Sequence, residues 1–483
     1  MTHQPKQLIS EFQKRRNVLG ERFLIALYRL TSTVKIYQSN NEILRDCAKE
    51  FMDIIAQWVA EEGYLTIRSS RGQFFLYEEK LIYQRENINV IKEMLDYFEQ
   101  RMIPGFRFSH AINDTSIEEI LTFTRLLNNA EKEEDPLPRL RQKLAEGSFQ
   151  WVEIDYLPET IQEEYNEELK EIARKTYSHA LSSVKEVSQK IASQGRAGVL
   201  KLKRIVQDMV DFLSEDDPVL LSMSTIREYD DYTYTHSVNV AILSLCLGKR
   251  IGLPKVSLSW LGICGLVHDL GKLDVPQEIL NKPGKLTDSE FREMEKHPLR
   301  SVSQIFKLRA SRDLKAKILL PPLEHHMKYD FSGYPRVRRK QPLSLFGRII
   351  GIADVFDAFS SPRVYRPIAY SPDKVLGIMM EGAGKDFDPL LLKVFINMLG
   401  VYPVGTLLQL DSDERGLVVA SAESEDKSRP IIVLLKSDNQ GGYKKGKLVN
   451  LSERNPKTGA FVRNIVRSYH PSSFGIQPVG FIL

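Results

Sequence analysis

The spacing of apolar residues along this chain changes from helical to strand-like and back, and the changes mark out its modules. From about Gln7 to Asp155, FLIALYRLTSTVKIY and EILRDCAKEFMDIIAQWVAEE carry apolar residues three and four apart, the period of an amphipathic helix. LTIRSS and QFFLYEEKLIYQ follow as β-rich runs separated by a turn-like Arg71-Gly72. NVIKEMLDYFEQRM returns to helical spacing, GFRFSH reads as extended, SIEEILTFTRLLNN as helical and FQWVEIDYL as extended. Ser or Asp ahead of several of these helices supplies an N-cap. The pattern predicts an α+β module over residues 1–157.

Residues 158–223 are highly charged (EEYNEELKEIARKTYSHALSSVKEVSQKIAS) and read as a charged helical linker. Two readings stay open here, a solvated connecting helix and a signalling or dimerising coiled coil, because the heptads are short and imperfect. Residues 224–400 read as helices separated by Pro- and Gly-containing loops. After residue 401, VGTLLQL, GLVVASA, PIIVLLK and GKLVNL are short β-type runs between Gly, Asp and Asn turns, which predicts a small β-rich domain over 401–483. The expected fold class is multidomain: an α+β N-terminal module, an all-α catalytic domain and a small C-terminal β domain.

Composition narrows the function classes. A chain of 483 residues is expected to form several domains, and 42% hydrophobic with 27% charged residues is ordinary for globular proteins. The net charge of +4 is too mild for a surface that coats nucleic acid, and KKGK at Lys444–Lys447 is too short a basic run, so no DNA partner is expected. Cys47, Cys246 and Cys264 lie far apart with no CxxC pair and read as reduced thiols. MTHQPKQLISEF lacks the apolar core of a signal peptide, and the longest apolar stretch, Val256–Val267, is too short to cross a bilayer. These features predict a cytoplasmic protein with no membrane span.

The chemistry lies in the histidines. Of nine in the chain, five fall between His236 and His326. His236 lies on an amphipathic helix, His268-Asp269 closes an apolar one, His297-Pro298 follows another, His325-His326 ends a further one, and Asp354 sits inside RIIGIADVFDAF. Any one of them alone reads as a packed side chain. Five imidazoles and two carboxylates in one helical domain would need many buried partners, and a metal satisfies them together. Imidazole mixed with carboxylate suits iron, manganese or zinc, and the absence of thiolates argues against a structural zinc site. His268 and Asp269 can serve two different ions if Asp269 bridges them. Two ions about 3.5–4 Å apart bind both an attacking water and a phosphoryl oxygen. Lys272, four residues after His268, would share its helical face if the helix persists that far, where a cation could neutralise a phosphate.

The ordered series H…HDxGK…HP…HH…GYP…D resembles the HD-GYP subgroup of the HD-domain metal-dependent phosphohydrolases. It is carried by HDLGKLDVPQEILNKPGKLTDSEFREMEKHP, EHHMKYDFSGYP and GRIIGIADVFDAFSSPRVYR. The resemblance implies an all-helical domain whose centre linearises cyclic di-GMP to pGpG, with further cleavage to GMP left open. It implies metal ligands at His236, His268, Asp269, His297, His325, His326 and Asp354, with Asp269 bridging. Lys272 would contact the scissile phosphate, and Arg363 and Arg366 in SPRVYR would hold the nucleotide's phosphates. Gly333, Tyr334 and Pro335 would shape the pocket mouth, with Tyr334 against substrate. The chain departs from the family at Met327, where a glutamate is usual, and at Phe331, where a glycine is usual. Tyr232 stands where three-metal members have a glutamate. Two divalent ions, iron or manganese, are therefore expected.

A second enzymatic reading keeps this chemistry and changes the substrate to another cyclic dinucleotide. A different class of reading, favoured by Met327 and Phe331, is an inactive module that binds metal or ligand and docks a partner such as a diguanylate cyclase. A homodimer is compatible with the charged helices before Asp217.

Overall fold

The computed structural model describes residues 4–482 apart from 71, 131–135, 148, 157, 216, 225–231, 339–340, 363–368, 422–425, 438–441 and 456. The chain divides into two compact units, Met1–Asn166 and Glu167–Leu483.

The first unit is α+β. Helices α1 (Gln4–Thr33), α2 (Glu42–Glu62), α3 (Ile88–Gln100), α4 (Ile117–Ala130) and α5 (Pro136–Glu146) accompany one antiparallel sheet. Its strands are β1 (Leu65–Ser70), β2 (Gln73–Leu76), β3 (Glu79–Lys80), β4 (Gly105–Phe108) and β5 (Val152–Ile154), ordered β3-β2-β1-β4-β5. The register sets Ile67 opposite Leu76 on one side and Phe106 on the other. Phe23, Phe51, Phe98, Phe106, Phe108, Phe123 and Trp151 are buried together as its core.

The second unit takes up α6 (Glu159–Gln194) from Glu167 onward. Leu169, Ala173, Tyr177, Ala180, Val184, Val187 and Ile191 are all buried, so α6 presents a continuous apolar stripe at helical spacing. Its charges lie on the other side, where Lys170 pairs with Glu167 and Lys190 with Glu186. The charge density that suggested a linker is the solvated face of a packed helix. Helices α7 (Leu200–Glu215) and α8 (Asp217–Met223) follow, and α7 packs on α9 (Tyr232–Arg250) and α10 (Lys255–Val267).

The helical domain comprises α9, α10, a 3-10 turn over Leu270–Asp274, then α11 (Gln277–Leu280), α12 (Asp288–Met294) and α13 (His297–Phe306). Helices α14 (Arg312–Glu324), α15 (Leu345–Ser360), α16 (Pro372–Glu381) and α17 (Pro389–Leu399) complete it. α9 packs on both α10 and α15, α14 lies against α10, α13 and α15, and the 3-10 turn lies against α13. One small addition to the all-helical expectation is a parallel pair of two-residue strands, β6 (Ala197–Gly198) with β7 (Leu308–Arg309).

The C-terminal part is an antiparallel sheet ordered β11-β10-β9-β8-β12. Its strands are β8 (Leu407–Leu410), β9 (Arg415–Ala420), β10 (Ile431–Ser437), β11 (Tyr443–Asn450) and β12 (Ile465–Tyr469). Alternation sends Leu408, Val418 and Ile432 to one apolar cluster and Leu407, Leu417 and Val433 to another, so both faces are covered. The sheet is tied to the helices where His470 Nε2 lies 3.1 Å from the Ser360 carbonyl and Ser468 donates to Asp373 at 2.6 Å. All three cysteines are free and buried. Among the described residues, no helix is long and apolar enough to cross a membrane.

Candidate metal centre

Five elements deliver the ligands. His236 comes from the second turn of α9, His268 and Asp269 from the end of α10, His297 from the start of α13, His325 and His326 from the end of α14, and Asp354 from the middle of α15. All seven converge. His236 Nε2 lies 3.0 Å from Asp354 Oδ1 and 3.6 Å from Asp269 Oδ2. His268 Nε2 lies 3.4 Å from Asp269 Oδ2 and 3.9 Å from Asp354 Oδ1. His297 Nε2 and His325 Nε2 face the other oxygen, Asp269 Oδ1, at 3.3 and 3.9 Å, and His326 Nδ1 is 3.7 Å from Asp354 Oδ2. The ligand atoms of His236, His268 and Asp354 lie within 4.8 Å of one another, as do those of His297, His325 and His326, and those of His268, Asp269 and His325.

The way each ring is held explains why its outer nitrogen points inward. The last carbonyls of a helix have no intrahelical donor. Three histidines use such carbonyls three residues back: His268 Nδ1 bonds Gly265 O at 2.8 Å, His297 Nδ1 bonds Met294 O at 2.8 Å and His325 Nδ1 bonds Pro322 O at 2.7 Å. A carbonyl only accepts, so Nδ1 carries the proton and Nε2 presents a lone pair. His236 lies inside a helix and lacks such a carbonyl. Its Nδ1 instead meets Asp357 Oδ2 at 2.7 Å.

Electrostatics make the cluster suited to cations. Burial holds His325 and His326 below their usual range and His297 down to about 3, so these imidazoles are neutral at physiological pH. Burial alone would raise Asp269, but Lys272 and the imidazoles of His268 and His297 outweigh it and hold the carboxyl well below its ordinary range. Asp354 behaves likewise, with the hydrogen bond to His236 first among the interactions that oppose burial. For His236, burial disfavours the charged ring, but Asp354 and Asp357 more than offset it. Asp269 and Asp354 are thus two buried ionised carboxylates beside Lys272, with Asp357 buried behind His236. His268 Nε2 and Asp269 Oδ1 are buried and make no hydrogen bond. Buried polar atoms left so are costly unless something fills their coordination, and neutral imidazoles with ionised carboxylates are the donor set of a divalent cation. The residues fit a metal centre.

Lys272 reaches the site by a different route from the one its spacing suggests. α10 ends at Val267, and the 3-10 turn brings Lys272 Nζ into an ion pair with Asp269 Oδ2. Gly271 makes this turn possible. A Cβ there would stand 2.0 Å from His297 O and 2.4 Å from Ser301 N. The Gly271 N–H donates to Ser301 Oγ at 2.8 Å, and Ser301 Oγ donates to His268 O at 2.7 Å.

The Gly333–Pro335 loop sits under the histidine pair. A Cβ on Gly333 would stand 2.0 Å from His326 O. Gly333 N–H donates to Met327 O at 3.1 Å and Tyr334 N–H to His326 O at 3.0 Å. The Tyr334 ring lies 4.7 Å from that of His326 and 6.2 Å from that of His297. The peptide bond between Tyr334 and Pro335 is cis. Tyr334 therefore braces two of the ligand rings, a contact its spacing did not reveal. Met327 is buried and leaves His325 anchored by the Pro322 carbonyl, so no carboxylate is needed at its position to hold that ring. Phe331 adopts the left-handed conformation a glycine would favour, φ 65°, with its ring exposed. Neither departure disrupts the ligand cluster. Arg363 and Arg366 lie outside the described residues, as does the side chain of Tyr232.

Sequence reasoning did not single out Asp357 or Ser301. Each had a weak signal: Asp357 lies three residues after Asp354 and Ser301 four after His297, so each shares a helix face with a ligand.

Known proteins bear on this geometry. The HD domain family matches residues 209–391. A cyclic di-GMP phosphodiesterase of Pseudomonas aeruginosa is 36% identical over 216 residues, covering 44% of this chain and 51% of that protein. Two Vibrio cholerae proteins also match: a cyclic di-GMP phosphodiesterase, 42% identical over 27% of each chain, and a 3'3'-cGAMP-specific phosphodiesterase, 37% identical over 35% of this chain and 36% of its own. The chain thus spans about half or less of each of these three relatives. The ligand series, its convergence and these matches place residues 209–391 as an HD domain of the HD-GYP family.

Proposed function

We propose that this protein is a metal-dependent phosphodiesterase that hydrolyses cyclic di-GMP to linear pGpG, using two divalent ions, iron or manganese. The observation that carries the reading is the position of Asp269. Its two oxygens face different histidine sets, His236 and His268 on one side and His297 and His325 on the other, as a bridging carboxylate requires. A pair of ions so held would supply Lewis-acid polarisation of the phosphodiester and a water acidic enough to attack it at neutral pH.

The chain's own residues account for the rest. His236, His268 and Asp354 would hold one ion, His297, His325 and His326 the other, with Asp269 shared. Lys272, only partly exposed and paired to Asp269, stands where its ammonium can also neutralise a non-bridging phosphate oxygen. The partial exposure of His326, against the burial of His236, His268 and His325, supports substrate entry from its side. Tyr334, its ring tilted against that of His326, would line that entry. Arg363 and Arg366 would hold the nucleotide's phosphates.

Reconstituting the protein with iron or manganese under reducing conditions and incubating it with cyclic di-GMP tests the reading. Two equivalents of metal and release of pGpG are expected, with His268→Ala and Asp269→Ala abolishing both. Stoichiometric metal with no product from cyclic di-GMP or cyclic GMP-AMP would instead favour a binding module. Activity surviving both substitutions would place the chemistry elsewhere.

A further inference from the structure

Of the four buried histidine ligands, His236 alone has no helix-end carbonyl behind it, and what stands there is a chain of side chains rather than a single partner. Asp357 Oδ2 contacts His236 Nδ1 at 2.7 Å, and its other oxygen accepts from Asn239 Nδ2 at 3.0 Å. Asn239 Oδ1 in turn accepts from the Tyr177 hydroxyl at 3.0 Å. The four residues come from three helices: Tyr177 from α6, Asn239 and His236 from α9, and Asp357 from α15. None is more than 4% exposed.

The chemistry of these groups gives the chain one direction. The Asn239 Nδ2 group can only donate, so Asp357 accepts one hydrogen bond from the Asn239 amide and its other oxygen accepts a second from His236 Nδ1. The Asn239 amide is thereby oriented with its oxygen away from Asp357, and only a donor can meet that oxygen. Tyr177 supplies it. His236 is left with Nε2 as its ligand atom, aimed at Asp354 Oδ1. A carboxylate behind a ligating imidazole fixes its tautomer and ring orientation and raises its basicity. Here that carboxylate is itself held from a second helix.

We propose that Tyr177, Asn239 and Asp357 are positioning residues that set the orientation and tautomer of His236, so that the metal affinity of the His236, His268 and Asp354 set is controlled from helix α6. This rests on the reading that the cluster holds divalent metal. It also makes α6, whose charge suggested a linker, a structural part of the centre.

The test uses the full-length protein, with manganese stoichiometry and affinity measured by titration and the visible spectrum of the cobalt-substituted form read separately from turnover. Asp357→Asn keeps the shape and removes the charge. It is expected to weaken one of two bound ions by roughly 10- to 100-fold, leave the other unchanged and shift the cobalt spectrum. Tyr177→Phe removes one hydroxyl and is expected to weaken the same ion by roughly 2- to 10-fold. Should Asp357→Asn fail to fold, Tyr177→Phe carries the test. Wild-type affinity and spectrum in both variants would overturn the proposal while leaving the metal centre intact. A loss shared by both ions that follows global unfolding would make the chain merely structural and overturn it too. A wild-type protein that binds no divalent metal would overturn both this and the reading it rests on.

Discussion

Gly271→Ala is the most demanding check on the geometry. The added methyl group would stand 2.0 Å from the His297 carbonyl and 2.4 Å from the Ser301 amide, both backbone atoms of the first turns of α13. No side chain can swing away to make room. The 3-10 turn must retreat by about 1.4 Å from α13 to turn the 2.0 Å approach into an ordinary contact of 3.4 Å, because packed interiors do not compress. That retreat carries Asp269 and Lys272 away from His297, stretches the Gly271 bond to Ser301 and pulls Asp269 Oδ1 away from its fellow ligand atom His297 Nε2, now 3.3 Å from it. Ligand distances tolerate changes of only about 0.2 Å. Overpacking of this kind costs about 1–3 kcal/mol, and a displacement of about 1 Å at a reacting centre costs roughly 100-fold in turnover. The expected result is a folded protein, less stable to denaturant, with metal affinity lowered at least 10-fold and turnover lowered about 100-fold. Gly377→Ala is the control, since nothing lies within 4 Å of its Cβ position in α16. It should raise stability by about 0.5–1 kcal/mol and leave metal binding alone. Wild-type metal content and turnover in Gly271→Ala would refute the reasoning.

Two further outcomes follow from other positions. Phe331→Gly relieves a left-handed conformation that costs an L-residue about 1–2 kcal/mol, against about 0.5–1 kcal/mol of added unfolded-state entropy. Denaturant titration should therefore show a stability gain of up to about 1 kcal/mol with unchanged metal affinity; a loss of that size would mean the exposed ring makes contacts that matter. Glu290 accepts from Lys282 and closes the capping box of α12 with Thr287, and the Lys282 hydrogen bond leads in lowering its carboxyl from 4.5 to about 2. A carboxylate depressed on folding stabilises above its unfolded value and loses that contribution as pH falls through the folded one. The melting-temperature gap between wild type and Glu290→Gln should thus be constant above about pH 4.5 and close toward pH 2; a gap that widens on acidification would contradict the ion pair.

What the sequence determined by itself is the chemical inventory and its order along the chain. Period-two and period-3.6 patterns located the strands β1, β2, β4 and β5 and the helices that carry the ligands, because burial of one face imposes those periods locally. The residue types of His236, His268, Asp269, His297, His325, His326 and Asp354 already excluded a thiolate site. Tertiary structure decided everything that depends on two elements meeting. The apolar stripe of α6 was outweighed by its charge in the sequence and emerged only when other helices covered it. Lys272 reached Asp269 through a 3-10 turn rather than a helix face, because α10 stops at Val267 and a glycine lets the next turn touch α13. Asp357 lies 121 residues from the ring it orients. No local period encodes such a pairing; it exists because α9 and α15 pack side by side.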